Sequence, residues 1–446
     1  MSSVGGVKPA QAALATYPTP PEIDVYPAET VKGPGPSGGP RIGAYNTGIV
    51  TTPPSIPPSA DFDAALVPGE FTVPRPVFVP PPPPPSPVLV PVTWLLDHGA
   101  PAVQLRVLHE VAGLPVPEPG RARLPYASRA GWQLLGMQDR DGTWAAGMLS
   151  VPSGSQLVGV ATIPAFRRLL ELGWDIEAPG MLATRRVLFR LLAEDNDPTL
   201  LAELRPEGDD EDLVRRGRLL LREAAACALA QAGFESDPRL RGAARRLIDR
   251  VDAFLRSPLA AKPWMRIGNQ HVLPAEVAAP SFHLLVMLAH MPQFRSEHAV
   301  FMDRLFEWIS QPWPRQAPVQ QVGEHLVEQP HLVLGDFLST RSALDGDMPS
   351  AVGWLETMAR LGFLGRHDGW MKLLDRTLDD RGRRGIWTPP RSMSMPDQVP
   401  PWAWPVLPLH DHAAEPGAPE AEALSADVTF RLALIAKLAG RPLEFS

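Results

Sequence analysis

Clustered carboxylates and histidines are the residues in this 446-residue chain whose spacing bears on acid, metal or nucleophilic chemistry. The densest acidic run, Asp209-Asp210-Glu211-Asp212, precedes an arginine-rich helix, so it reads as a helix cap that favours the helix dipole. Asp379-Asp380 sits beside Arg381, Arg383 and Arg384 and reads as an exposed helix end. Cys227 lies among alanines with no metal ligand nearby in sequence, the setting of a small core thiol. His410-Asp411-His412 places two imidazoles on one side of an extended segment and is a weak metal candidate without an evident third ligand. His283 and His290, seven residues apart on an apolar helix, share a face. There is no phosphate-cradling glycine loop, no Gly-x-Ser-x-Gly and no His-Glu-x-x-His, and no cofactor is evident.

The elements that must hold these residues are helices with a recurrent ending. Ala112-Gly113-Leu114, Leu172-Gly173-Trp174, Ala232-Gly233-Phe234, Leu361-Gly362-Phe363 and Ala439-Gly440 each follow an apolar run with a glycine that takes the left-handed conformation cheaply. His290-Met291-Pro292 marks another helix end. Between them Arg185–Leu192, Leu240–Leu255, Ala299–Ile309 and Gly369–Leu378 carry apolar residues at i, i+3, i+4 and i+7, so each unit reads as a helical hairpin. Tryptophans 144, 264, 313 and 387 recur after the second helices as corner staples. About six hairpins are expected over residues 93–446, as an open solenoid or a closed ring. In a closed ring the starts of the inner helices line one mouth of a cavity, which places Glu223, His283, Trp354 and Asp427 as cavity candidates. An isolated carboxylate in such an apolar funnel would have a raised pKa and serve as an acid.

An apolar helix ending in Gln138-x3-Gly142-x-Trp144, with the weaker echo Gly385-Ile386-Trp387 that lacks the glutamine, favours the closed ring. With this one intact Gln-Gly-Trp (QW) element residues 93–446 resemble the α/α-toroid proteins of the terpenoid cyclase and protein prenyltransferase superfamily, and the stretches Trp94-Leu-Leu-Asp-His-Gly-Ala-Pro-Ala-Val103 and Cys227-Ala-Leu-Ala-Gln-Ala-Gly-Phe-Glu-Ser-Asp-Pro238 look like squalene-cyclase-like bacterial proteins. The resemblance implies an all-α toroid with an apolar cavity for an isoprenoid or lipid-like ligand. It does not carry over the catalytic groups: the Asp-x-Asp-Asp acid motif is absent, and so is the zinc triad of Asp, Cys and His. The alternative expectation is a non-catalytic scaffold.

That alternative draws on residues 1–92. Residues 1–91 hold 23 of the 54 prolines, including the run Pro80 to Pro85, and read as a disordered or extended polyproline arm. Phe78 and the stretch Pro80 to Pro91 are its candidate docking residues for a protein partner. A net charge of -7 argues against nucleic acid as a partner. No membrane-spanning apolar run or signal peptide is seen, and the single cysteine excludes an intrachain disulfide, so a soluble, cytoplasmic protein is expected.

Overall fold

A computed structural model describes residues 86–446, apart from 117–119, 121–122, 146, 151–158, 194–210, 269, 315–316, 340–347 and 389–419. Phe78, Pro80 to Pro85, His410 and His412 therefore lie outside the described residues.

The described chain is mostly helical. Its principal helices are α1 (Val92–His98), α2 (Pro101–Arg106), α3 (Arg129–Gly136), α4 (Thr162–Glu171), α5 (Pro179–Ala193) and α6 (Glu211–Gln231). They continue with α7 (Pro238–Leu255), α8 (Phe282–Ala289), α9 (Ala299–Ile309), α10 (Met348–Leu361), α11 (Asp368–Asp379) and α12 (Glu420–Leu438). Odd- and even-numbered helices differ in how they are buried. In α7 the buried residues Leu240, Ala243, Ala244, Leu247, Ile248, Val251 and Phe254 form one stripe, the pattern of a helix with a solvent face. In α6 every residue from Glu223 to Ala230 is buried, and in α12 every residue from Leu424 to Ala436. A helix buried on all sides belongs to the interior of a layered packing. Each of α6, α8, α10 and α12 packs on the preceding even helix, α12 also touches α2, and odd helices such as α3, α5 and α7 cover them.

The expected helix ends are found. Gly113, Gly173, Gly233, Gly362 and Gly440 all have φ between 67° and 84°. At four of them the geometry is a Schellman cap: Trp174 N–H donates to Leu169 O, Phe234 to Leu229, Phe363 to Met358 and Arg441 to Ala436.

The mostly helical character is as expected, and three short strand pairs add to it: β1 (Val88–Val90) runs parallel to β6 (Leu443–Phe445), and β2 (Met265–Ile267) with β3 (Gln270–Val272) and β4 (Val319–Val322) with β5 (His325–Glu328) form hairpins. The end of the proline-rich segment is also part of the fold: Val90 is wholly buried and Val88 nearly so, because pairing with the C-terminal strand satisfies their backbone and buries both side chains.

The Gln138-Gly142-Trp144 element is a corner brace. Gln138 Nε2 donates to Gly180 O at 3.0 Å and to Thr184 Oγ1 at 2.9 Å, tying the end of α3 to the start of α5. Gly142 has φ 90° and its backbone lies so close to Ala183 that a Cβ would meet the Ala183 carbonyl carbon at 2.6 Å. Trp144 is buried, its indole donates to Leu134 O at 2.7 Å, and its backbone N–H donates to Thr162 Oγ1 on α4 at 3.1 Å. Trp387 repeats the last contact with Thr429 Oγ1 on α12 at 2.9 Å, and Gly385 with φ 72° packs against Leu89 O as Gly142 packs against Ala183. Trp264 and Trp313 are only half-buried.

Candidate functional site

Charged residues in the middle of otherwise apolar helices build the site. Arg167 and Arg168 interrupt a stretch of α4 in which every residue from Thr162 to Leu169 is buried, and Arg431 sits inside the apolar run of α12. Buried charges persist only when paired or when they hold something.

Most of them are paired in one closed circuit. Arg431 donates to Glu171 at 2.5 Å and to Glu356 at 2.6 Å; Arg360 bonds Glu356 at 2.9 Å and Glu110 at 3.3 Å; Arg106 bonds Glu110 at 2.5 Å and closes on Glu171. Three guanidiniums and three carboxylates thus alternate, and each touches two opposite charges. The circuit stitches α2 and the turn that continues it to α4, α10 and α12. Burial opposes ionisation of Glu171, yet Arg106 and Arg431 hold its carboxyl down at about 2. Burial likewise opposes ionisation of Glu356, and Arg431 and Arg360 hold it well below the carboxylate range. Glu110 is lowered, against burial, by Arg106.

Beside this circuit lies a cavity of about 60 Å³. Its lining comes from every even helix from α4 to α12: Arg167 and Glu171, Gln231, Phe282 and Val286, Trp354 with Glu356 and Arg360, and Arg431. Along α10 the half-buried Gly353, Thr357 and Arg360, at i, i+4 and i+7, all face it. One wall is aromatic, with Phe282, Phe337 and Trp354 packed at centroid separations of 5.2 to 6.0 Å. The Trp354 indole N–H is buried and has no partner among the described residues. Arg167, 3% exposed, also lines the cavity, and its Nε donates to the neutral Gln231 Oε1 at 2.6 Å. His290 also lines the cavity, and burial, with Arg360 nearby, pushes its pKa down to about 3, so it is neutral near pH 7.

Of the four residues placed at a cavity mouth from sequence, only Trp354 lines this cavity. Glu223 is not an isolated acid in an apolar funnel: it accepts from Arg250 and, at 2.7 Å, from Ser281, the N-cap of α8. Its sequence gave no sign of a guanidinium delivered from the neighbouring helix α7. His283 is buried with Nδ1 unpartnered among the described residues, and burial, then Arg167 and His331, hold its pKa well below the ordinary histidine value. Asp427 is fully buried on α12, one turn before Arg431, and is not among the lining residues. Cys227 is buried, its thiol pKa is raised by burial, and its thiol lies 4.0 Å from Gln231 Oε1. Among the described residues no three His, Cys, Asp or Glu side chains are grouped to hold a metal ion, and no helix is long and apolar enough to cross a membrane.

Of the lining residues, His290 stands out in the sequence through its spacing from His283, whereas Arg167, Glu171, Glu356, Arg360 and Arg431 do not. The available signal was a charge at an interior position of an apolar helix, most visibly Arg431 within Val428-Thr-Phe-Arg-Leu-Ala-Leu-Ile-Ala436. No known protein family, characterised protein or solved structure matches this chain.

Proposed function

We propose that the helical part of this protein is a small-molecule-binding α/α toroid, with the even helices as its inner wall and the cavity beside Trp354 as its ligand site. The neighbour order α4, α6, α8, α10, α12, α2, together with the Arg106–Glu171 bond from α2 back to α4, supports closure of the inner helices into a ring. The observation that carries the functional reading is that one cavity draws its lining from every even helix from α4 to α12, as a central pocket would.

Its size and polarity favour a ligand smaller than the isoprenoid implied by the resemblance. A cavity of about 60 Å³ has room for roughly four to six water-sized groups, too few for a squalene or farnesyl chain. The cavity carboxylates are also unsuited to proton donation, because their arginine partners keep Glu171 and Glu356 ionised. Binding is therefore favoured over cyclase-like acid catalysis. A docking role for residues 1–92 is compatible with this reading, since the β1–β6 pairing anchors the segment where it enters the helical domain.

The test is occupancy. Isobutyramide, a neutral probe of suitable size, should perturb the Trp354 indole resonance saturably, and Gly353→Leu, which places a side chain in the cavity, should abolish that response. Retention of the response in the filled variant, or a response to farnesol as strong as to isobutyramide, would count against a small central pocket.

A further inference from the structure

We propose that the natural ligand of this cavity is a small organic carboxylate, its anionic group on Arg167 and its carbon body against Phe282, Phe337 and Trp354. The inference rests on the cavity-binding reading above and assigns the chemistry of the ligand.

The charge balance around the cavity motivates it. In the Arg–Glu circuit the three guanidiniums and three carboxylates cancel, and each carboxylate already holds two guanidiniums. Arg167, one turn before Glu171 on α4, stands outside that circuit. It is 3% exposed, lines the cavity, and among the described residues its one hydrogen-bond partner is the neutral Gln231, reached through Nε. Its two terminal nitrogens therefore have no protein acceptor among the described residues. Burying a guanidinium without a counter-charge is strongly unfavourable, and its planar fork matches a carboxylate in a bidentate pair. His283 offers no competing charge, because burial, then Arg167 and His331, hold its pKa well below the ordinary histidine value.

The other walls narrow the class. Phe282, Phe337 and Trp354 suit a carbon body, and the unpartnered Trp354 N–H supplies one donor for a second polar atom. Arg360 and Arg431 also line the cavity but are already matched by the circuit's carboxylates, so a dianion such as hydrogen phosphate brings two charges to one spare guanidinium and leaves the aromatic side uncovered. A monoanion with an apolar body fits both walls, and the cavity volume limits it to roughly the size of isobutyrate.

The experiment follows the Trp354 indole resonance in the full chain labelled with ¹⁵N-tryptophan, assigned by its loss in Trp354→Phe. Isobutyrate, isobutyramide, inorganic phosphate and chloride are titrated at pH 7. The expected result is saturable binding of isobutyrate at least about tenfold tighter than of its isosteric amide, with phosphate and chloride weaker still. In Arg167→Met the preference for isobutyrate over isobutyramide should vanish while isobutyramide still binds. The unliganded variant should have an unchanged or higher Tm, because it loses an uncompensated buried cation. If this variant does not fold, the comparison of isobutyrate with isobutyramide on the wild-type chain decides alone. Equal binding of the two probes overturns the carboxylate assignment and leaves the cavity reading standing. Phosphate or chloride binding as tightly as isobutyrate also overturns it, in favour of a simple anion. No response to any probe overturns both readings, and a fall in Tm of more than about 5 °C in Arg167→Met makes Arg167 a structural residue.

Discussion

Replacing Arg431 by methionine tests whether the buried charge circuit holds the helices together. Arg431 is 1% exposed and bridges Glu171 on α4 to Glu356 on α10 at 2.5 and 2.6 Å. Methionine fills much of the volume but leaves each carboxylate with one arginine, Arg106 for Glu171 and Arg360 for Glu356. Removing one partner of a buried ion pair costs about 3 to 5 kcal/mol, because the remaining charge is left partly uncompensated in a medium of low polarity. At roughly 2 °C per kcal/mol for a domain of this size, Tm should fall by about 6 to 10 °C. The pH dependence gives a sharper signature. Glu171 is held at about 2 in the folded state and Glu356 is lowered too, so the stability they contribute is full above the ordinary carboxylate pKa and is lost as pH falls toward 2. Without Arg431 these carboxyls protonate more readily, which relieves the unpaired charge, so the gap between wild type and variant should narrow from pH 7 to pH 3. Urea unfolding followed by circular dichroism at both values reads this directly. A loss below about 1 kcal/mol at pH 7, or a gap that widens in acid, would refute the reasoning.

Three other outcomes follow from the geometry. His290 and His331, held at about 3 and about 4 chiefly by burial, and His283, also lowered, bind protons more readily when unfolded, so stability should fall as pH drops below about 6.5, by up to roughly 1.4 kcal/mol per pH unit per histidine; thermal melts of His290→Gln should show a shallower dependence. Gly142→Ala, at φ 90° and against the Ala183 backbone, should cost more than Gly362→Ala, where φ is 77° but a Cβ has open space; for the latter about 1 kcal/mol is expected, measured by urea unfolding of both variants. Removal of residues 1–91, which strips β1 with Val88 and Val90, should cost about 3 kcal/mol or more, read by differential scanning calorimetry.

What was legible in the sequence follows from the range of the interactions. A Schellman cap is decided within about six residues, so Gly173, Gly233, Gly362 and Gly440 announced their helix ends without tertiary context. The stripe of α7 and the bounds of α9 were equally local. The Gln138 brace was visible as an element, although its partners Gly180 and Thr184 lie more than forty residues away. The β hairpins were overlooked because strands of three or four residues show little alternation; Gly268 and Gly323, with φ near 60°, were their one turn signal. The charge circuit joins residues 65, 75 and 260 positions apart, and nothing local pairs Arg431 with Glu171 rather than with another acid. For the same reason Glu223 was read as a free acid: Arg250, which neutralises it, is presented by a different helix.

If the even helices line one small site in which Arg167 holds an anion, a crystal structure of the full chain grown with isobutyrate will show it most directly. Density for a carboxylate is expected within hydrogen-bond distance of the Arg167 terminal nitrogens, with its methyl groups against Phe282, Phe337 and Trp354. A cavity filled by the protein's own side chains, or Arg167 turned onto a protein carboxylate, would contradict it.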